Sequence, residues 1–91
     1  MARYVKRRPE IEAVQWNGFC FSEPAPSWLT DAMKLPAYAF GGVERIGADL
    51  VVWTLKGPVR AHPGDWLVRW AVGELWVIPP VLFAATYEPA P

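Results

Sequence analysis

Few side chains in this chain of 91 residues could do covalent or acid-base chemistry, and those few are scattered. His62 is the only histidine, and it stands directly before the dipeptide Pro63-Gly64, so a nucleophile activated by imidazole would have to use this one ring. A structural or solvent-facing histidine is the simpler reading of that position. Cys20, the only cysteine, lies between Phe19 and Phe21 with no basic residue beside it to activate a thiol, and it reads as a small buried residue. A lone cysteine excludes an internal disulfide, and no spacing of Cys and His suits a metal ion. The carboxylates form two generic pairs, Asp65 with Glu74 and Glu10 with Glu12. Asp65 follows a turn and is expected to accept backbone hydrogen bonds there, a commoner role than acid-base work. Gly41-Gly42 lacks the lysine and hydroxyl residue of a phosphate-cradling loop and reads as a turn.

The alternative chemistry is non-covalent. Trp53, Trp66, Trp70 and Trp76 fall within 24 residues, more indole than one small core readily buries. Arg60 and Arg69 are the isolated cations of the same region. On neighbouring strands they would clamp a phosphate while an indole stacks on a base, which makes Arg60, Arg69, Trp70, Trp76 and His62 the candidate ligand-binding set. Trp53, Leu67, Leu75 and Val77 are the candidate interface with another subunit.

The elements that must position these residues are mostly strands. Ile11 to Trp16 alternates so that Val14 and Trp16 share one face and Ile11 and Ala13 the other, and Asn17-Gly18 ends the run. Ser27 is expected to cap a short helix through Trp28, Leu29, Ala32 and Met33, which Pro36 stops. From Tyr38 onward, glycine-punctuated runs of Val, Leu and Trp predict an antiparallel meander. Leu50 to Leu55 pairs with Pro58 to His62, and Trp66 to Trp70 pairs with Glu74 to Ile78. A three-residue connection, Ala71-Val72-Gly73, sets the second register, opposing Trp70 to Glu74, Val68 to Trp76 and Trp66 to Ile78. Both faces of that hairpin are apolar, one carrying three tryptophans and the other Leu67, Arg69, Leu75 and Val77. Either a small barrel or a second subunit must then cover the second face. One helical turn is expected over Val81 to Ala84 and a final edge strand over Thr86 to Glu88. The fold class predicted is mainly β, a small antiparallel sheet or barrel of about six short strands with one short helix, in one domain over residues 11–91 behind a basic arm over residues 1–10.

The pattern Glu12-Ala13-Val14-Gln15-Trp16, Pro63-Gly64-Asp65-Trp66-Leu67-Val68, Gly73-Glu74, Pro80, Phe83 and Tyr87-Glu88 resembles a group of small bacteriophage and prophage proteins. Their functions are mostly unassigned. The resemblance implies a phage accessory protein in the cytoplasm of an infected bacterium, and it brings no active-site residues with it.

Charge and hydropathy narrow the function classes. Nine basic residues balance nine acidic ones, which argues against a general nucleic-acid surface, although Arg3, Lys6, Arg7 and Arg8 cluster in the arm. No window approaches the ~20 apolar residues of a membrane helix. The expectation is therefore a non-enzymatic binding protein without cofactor or metal, forming a homo-oligomer. It would sequester a small anionic or nucleotide signal or a host factor in a counter-defence role. The alternative is a structural or interaction module, either a minor virion component or an adaptor on a host protein.

Overall fold

The computed structural model describes residues 11–36, 38–70 and 74–88. The expected basic arm and the Ala71-Val72-Gly73 connection lie outside them. Six strands and two helices follow in the order β1 (Glu12–Gln15), α1 (Ser27–Lys34), β2 (Val43–Ile46), β3 (Asp49–Thr54), β4 (Gly57–Ala61), β5 (Trp66–Arg69), β6 (Leu75–Ile78) and α2 (Pro80–Thr86). The chain is mainly β with six short strands, as its alternation predicts. These strands divide into two three-stranded antiparallel sheets, β1-β5-β6 and β2-β3-β4, and no barrel closes.

The turn at Pro63-Gly64 organises the first sheet. Gly64 takes φ 97°, the left-handed value the sequence requires of it, and the His62 carbonyl accepts from the Asp65 N–H at 3.0 Å. Asp65 Oδ2 accepts from the His62 N–H at 2.8 Å, so this carboxylate does the backbone work expected of it. The turn then grips the end of β1. Gly64 N–H donates to the Trp16 carbonyl at 2.6 Å and Trp16 N–H to the Asp65 carbonyl at 2.9 Å, while Gln15 Nε2 donates to the Gly64 carbonyl at 3.0 Å. Gly18 approaches the same turn so closely that a Cβ there would lie 2.9 Å from Pro63 Cγ.

Trp16 carries the connection onward to the second sheet. Its indole Nε1 donates to the Ala48 carbonyl, between β2 and β3, at 2.8 Å. The ring is 2% exposed, packs against Phe21 at 5.0 Å, and has the Arg45 guanidinium 5.4 Å from its centroid. The core gathers around it from three sources. These are Val14, Leu67 and Leu75 of the first sheet, Val43, Leu50, Val52 and Ala61 of the second, and Leu29 and Ala32 of α1. Burial alternates with strand period in β1, where Val14 and Trp16 face inward as predicted.

The expected hairpin register is observed, with Trp66 opposite Ile78, Val68 opposite Trp76, and the Trp70 N–H donating to the Glu74 carbonyl at 3.0 Å. Both faces of this hairpin are covered within one chain, which the sequence reading assigned to a barrel or a second subunit. One face enters the shared core, where Leu67 and Leu75, expected at an interface, are buried and Val77 packs partly buried against them. The other face lies under α2. Phe83 stacks on Trp66 with centroids 4.0 Å apart and planes within 6°, and Tyr87 meets Trp70 edge-on at 6.4 Å. Thr86 therefore ends a helix, and no edge strand forms over Thr86 to Glu88. The helix needs no long apolar run because two aromatic side chains reach the sheet, and its outward residues Val81 and Leu82 stay exposed.

Two smaller expectations are also corrected. Ser27 opens α1 without capping it: the Pro26 carbonyl accepts from the Leu29 and Thr30 N–H groups, and no side chain caps the helix. Cys20 is exposed, because Asn17 Oδ1 accepts from the Phe19 and Cys20 N–H groups and turns that segment outward from Trp16.

The clasp has a measurable consequence. Trp16→Phe keeps an aromatic ring in the core but removes the donor to Ala48 and part of the indole, and it should cost at least about 1–2 kcal/mol by chemical denaturation. Trp16→Ala also empties the centre of the core and should cost about 3–5 kcal/mol. A Trp16→Phe variant as stable as the wild type would contradict a role for the indole N–H.

Candidate functional site

Strand β3 alternates between two environments. Leu50, Val52 and Thr54 are buried on the core side, which leaves Asp49, Val51 and Trp53 on the outer face of the second sheet. Register adds neighbours to that face: Glu44 and Ile46 from β2, opposite Val51 and Asp49, and Pro58 and Arg60 from β4, opposite Trp53 and Val51. No helix covers it among the described residues. A concavity of about 420 Å³ opens on it, with Val51, only 7% exposed, as its floor and Tyr38, Trp53, Glu44 and Arg60 among its walls. A second depression of about 270 Å³ adjoins it across Trp53 and Glu44 and reaches Met33 and Leu35 of the α1 end.

Tyr38 is the unusual residue of this face. It is the one non-glycine among the described residues with positive φ, at 70°. Its side chain lies against Trp53 with ring centroids 4.7 Å apart, yet the residue is 79% exposed. The Gly41 N–H donates to the Trp53 carbonyl at 2.8 Å and the Trp53 N–H to the Gly42 carbonyl at 3.0 Å, so the segment carrying Tyr38 is tied to β3 by backbone pairing. Trp53 Nε1 is shielded from solvent and has no protein acceptor among the described residues.

Charged groups border the aromatic pair. Asp49 Oδ2 lies 3.7 Å from Arg60 Nε and 3.3 Å from His62 Nδ1. With Arg60 and His62 side chains 50% and 64% exposed, these contacts are worth at most about 1 kcal/mol each. A histidine beside an aspartate is the pairing that serves as base and orienter in a nucleophilic triad, but the residues that register places on this face include no Ser, Thr or Cys to serve as nucleophile. Among the described residues no three His, Cys, Asp or Glu side chains are grouped to hold a metal ion.

The structure separates the predicted ligand-binding set. Arg60 and His62 stand together at the end of β4, whereas Arg69 lies on β5 of the other sheet, 4.0 Å from Glu12. The two arginines thus have different carboxylate neighbours and do not converge on one phosphate. Trp70 and Trp76 are on the first sheet, Trp70 against Tyr87 and Trp76 beneath the Lys56 ammonium, 5.8 Å from its centroid. Of the predicted interface residues only Trp53 reaches an open face. Sequence reasoning missed Tyr38, Glu44, Ile46 and Asp49. Period-two alternation through Val43 to Ile46 and Asp49 to Trp53 could have placed the last three beside Trp53. Nothing in a tyrosine's identity signals left-handed backbone.

That backbone can be tested directly. Tyr38→Ala and Tyr38→Gly both remove the ring, so they differ mainly in the strain of a side chain at φ 70°. The glycine variant should be more stable than the alanine variant by about 1 kcal/mol in thermal or urea unfolding. An alanine variant as stable as the glycine variant would show that position 38 is not held left-handed.

Compared with protein-family models, with curated proteins and with solved structures, the chain matched none.

Proposed function

We propose that the protein is a non-catalytic interaction module whose working surface is the outer face of β2-β3-β4, and that it docks there on a protein partner inside the bacterial cell implied by its resemblance to phage proteins. The observation that carries this reading is Tyr38. Holding a tyrosine in the left-handed region costs about 1–2 kcal/mol, and such strain persists chiefly where function uses it. Here it keeps a largely exposed phenol ring against Trp53 beside a concavity walled by charged side chains. An aromatic centre with a polar rim is the anatomy of a protein-protein hot spot.

Capture of a small anionic signal finds less support. Glu44 and Asp49 set two negative charges on this face against the single fixed positive charge of Arg60. A phosphate would meet that balance instead of a guanidinium pair. Counter-defence remains compatible with protein docking, in which the face would block a host factor.

Trp53 is the side chain to remove. Tagged protein incubated with extract of bacteria that also express the untagged chain should retain a protein partner in stoichiometric amount, and Trp53→Ala should weaken that retention by about thirtyfold, the effect of losing a hot-spot tryptophan. Undiminished retention by Trp53→Ala, or a nucleotide that shifts tryptophan fluorescence in the wild type, would contradict the reading.

A further inference from the structure

Register across the second sheet gives its outer face a polarity. Glu44 of β2, Val51 of β3 and Arg60 of β4 stand in one row, with the carboxylate on one side of the central strand and the guanidinium on the other. Neighbouring strands are about 4.8 Å apart, so the two charged residues sit at nearly equal distances either side of Val51. Along β3, Trp53 lies beyond that row on one side, and Asp49 lies on the other, next to Arg60 and His62.

We infer that the partner of this face is a second copy of the same chain. A two-fold axis lying in the interface and running parallel to β3 exchanges left and right but keeps position along the strand. It sets Glu44 of each copy opposite Arg60 of the other, brings Val51 against Val51, and brings the Tyr38-Trp53 pair against its equivalent. A two-fold axis across the strands sets Glu44 opposite Glu44 and Arg60 opposite Arg60, which like-charge repulsion disfavours. The charge row therefore selects one isologous arrangement, in which sheets stack face to face with strands nearly aligned, the ordinary geometry of sheet packing. Asp49 also meets Asp49 across the axis, and Arg60 and His62 beside each one offset that repulsion. The contact is one three-stranded sheet face plus Tyr38, at the small end of specific interfaces, so dissociation on the order of tens of micromolar is expected.

The inference rests on the reading of this face as a docking surface, and charge reversal separates the two. Sedimentation equilibrium of the wild type up to several hundred micromolar should show a reversible monomer-dimer equilibrium. E44R and R60E each set like charges opposite one another twice per dimer and should raise the dissociation constant at least tenfold. The double variant E44R/R60E restores both pairs with their signs exchanged and should dimerise at least about threefold more tightly than either single variant, while staying weaker than the wild type because Arg60 no longer offsets Asp49. Among the described residues Glu44 enters none of the intrachain ion pairs, so loss of dimer in E44R cannot come from the Arg60-Asp49 contact. A wild type that stays monomeric, or single variants that dimerise as well as the wild type, would overturn the second copy as partner. A monomer whose retention of some other protein still depends on Trp53 would overturn only the second copy. A monomer whose retention ignores Trp53 would overturn the docking face as well.

Discussion

The fold depends on how Trp16 is held. Its backbone is paired on both sides with the Pro63-Gly64-Asp65 turn, and its indole N–H reaches across to the carbonyl of Ala48. One residue thereby fixes β1 beside β5 and sets the second sheet against the first. In a domain this small such coupling matters, because about 60% of the surface exposed by the unfolded chain is all it can bury. The short motifs around Gln15-Trp16, Gly64-Asp65-Trp66 and Phe83 find their explanation here. Gln15 and Trp16 close on Gly64 and Asp65, and Phe83 lies on Trp66. These residues build the scaffold, and the face proposed to do the work lies on the other sheet.

The aromatic excess of the chain is divided by position. Trp16 belongs to the core and Trp28 packs against it, Trp66 and Trp70 are taken up by Phe83 and Tyr87, and Trp76 packs near the Lys56 ammonium. Stacking of the Trp66-Phe83 kind adds about 0.5–1.5 kcal/mol beyond area burial and helps to hold a seven-residue helix that has no fully buried residue of its own. What remains is Trp53, whose aromatic partner is the strained and exposed Tyr38.

Much of the fold was legible in the sequence because strand period and turn chemistry agree. Pro63-Gly64 demanded left-handed backbone at Gly64, Asp65 was placed to bond backward, and the Trp66 to Ile78 register follows from a short connection. Long-range covering was not legible. Leu67 and Leu75 read as surplus apolar surface only while α1 and the second sheet could not be placed over them, and α2 was expected only as one helical turn over Val81 to Ala84, with neither of its two aromatic contacts foreseen. Arg60 and Arg69 likewise looked adjacent along the chain, but a change of sheet between β4 and β5 parts them. The candidate site was legible only at Trp53, since Tyr38 enters it through a backbone conformation that no residue type announces.

The central claim is that the working surface is the Trp53 face and not the tryptophan-rich hairpin of the first sheet. Two-dimensional NMR of the six indole N–H groups in a dilution series from millimolar to low micromolar reports on both surfaces at once. The Trp53 signal should move with concentration while those of Trp16 and Trp66 stay fixed. Movement of Trp70 or Trp76 with Trp53 unmoved would contradict the account.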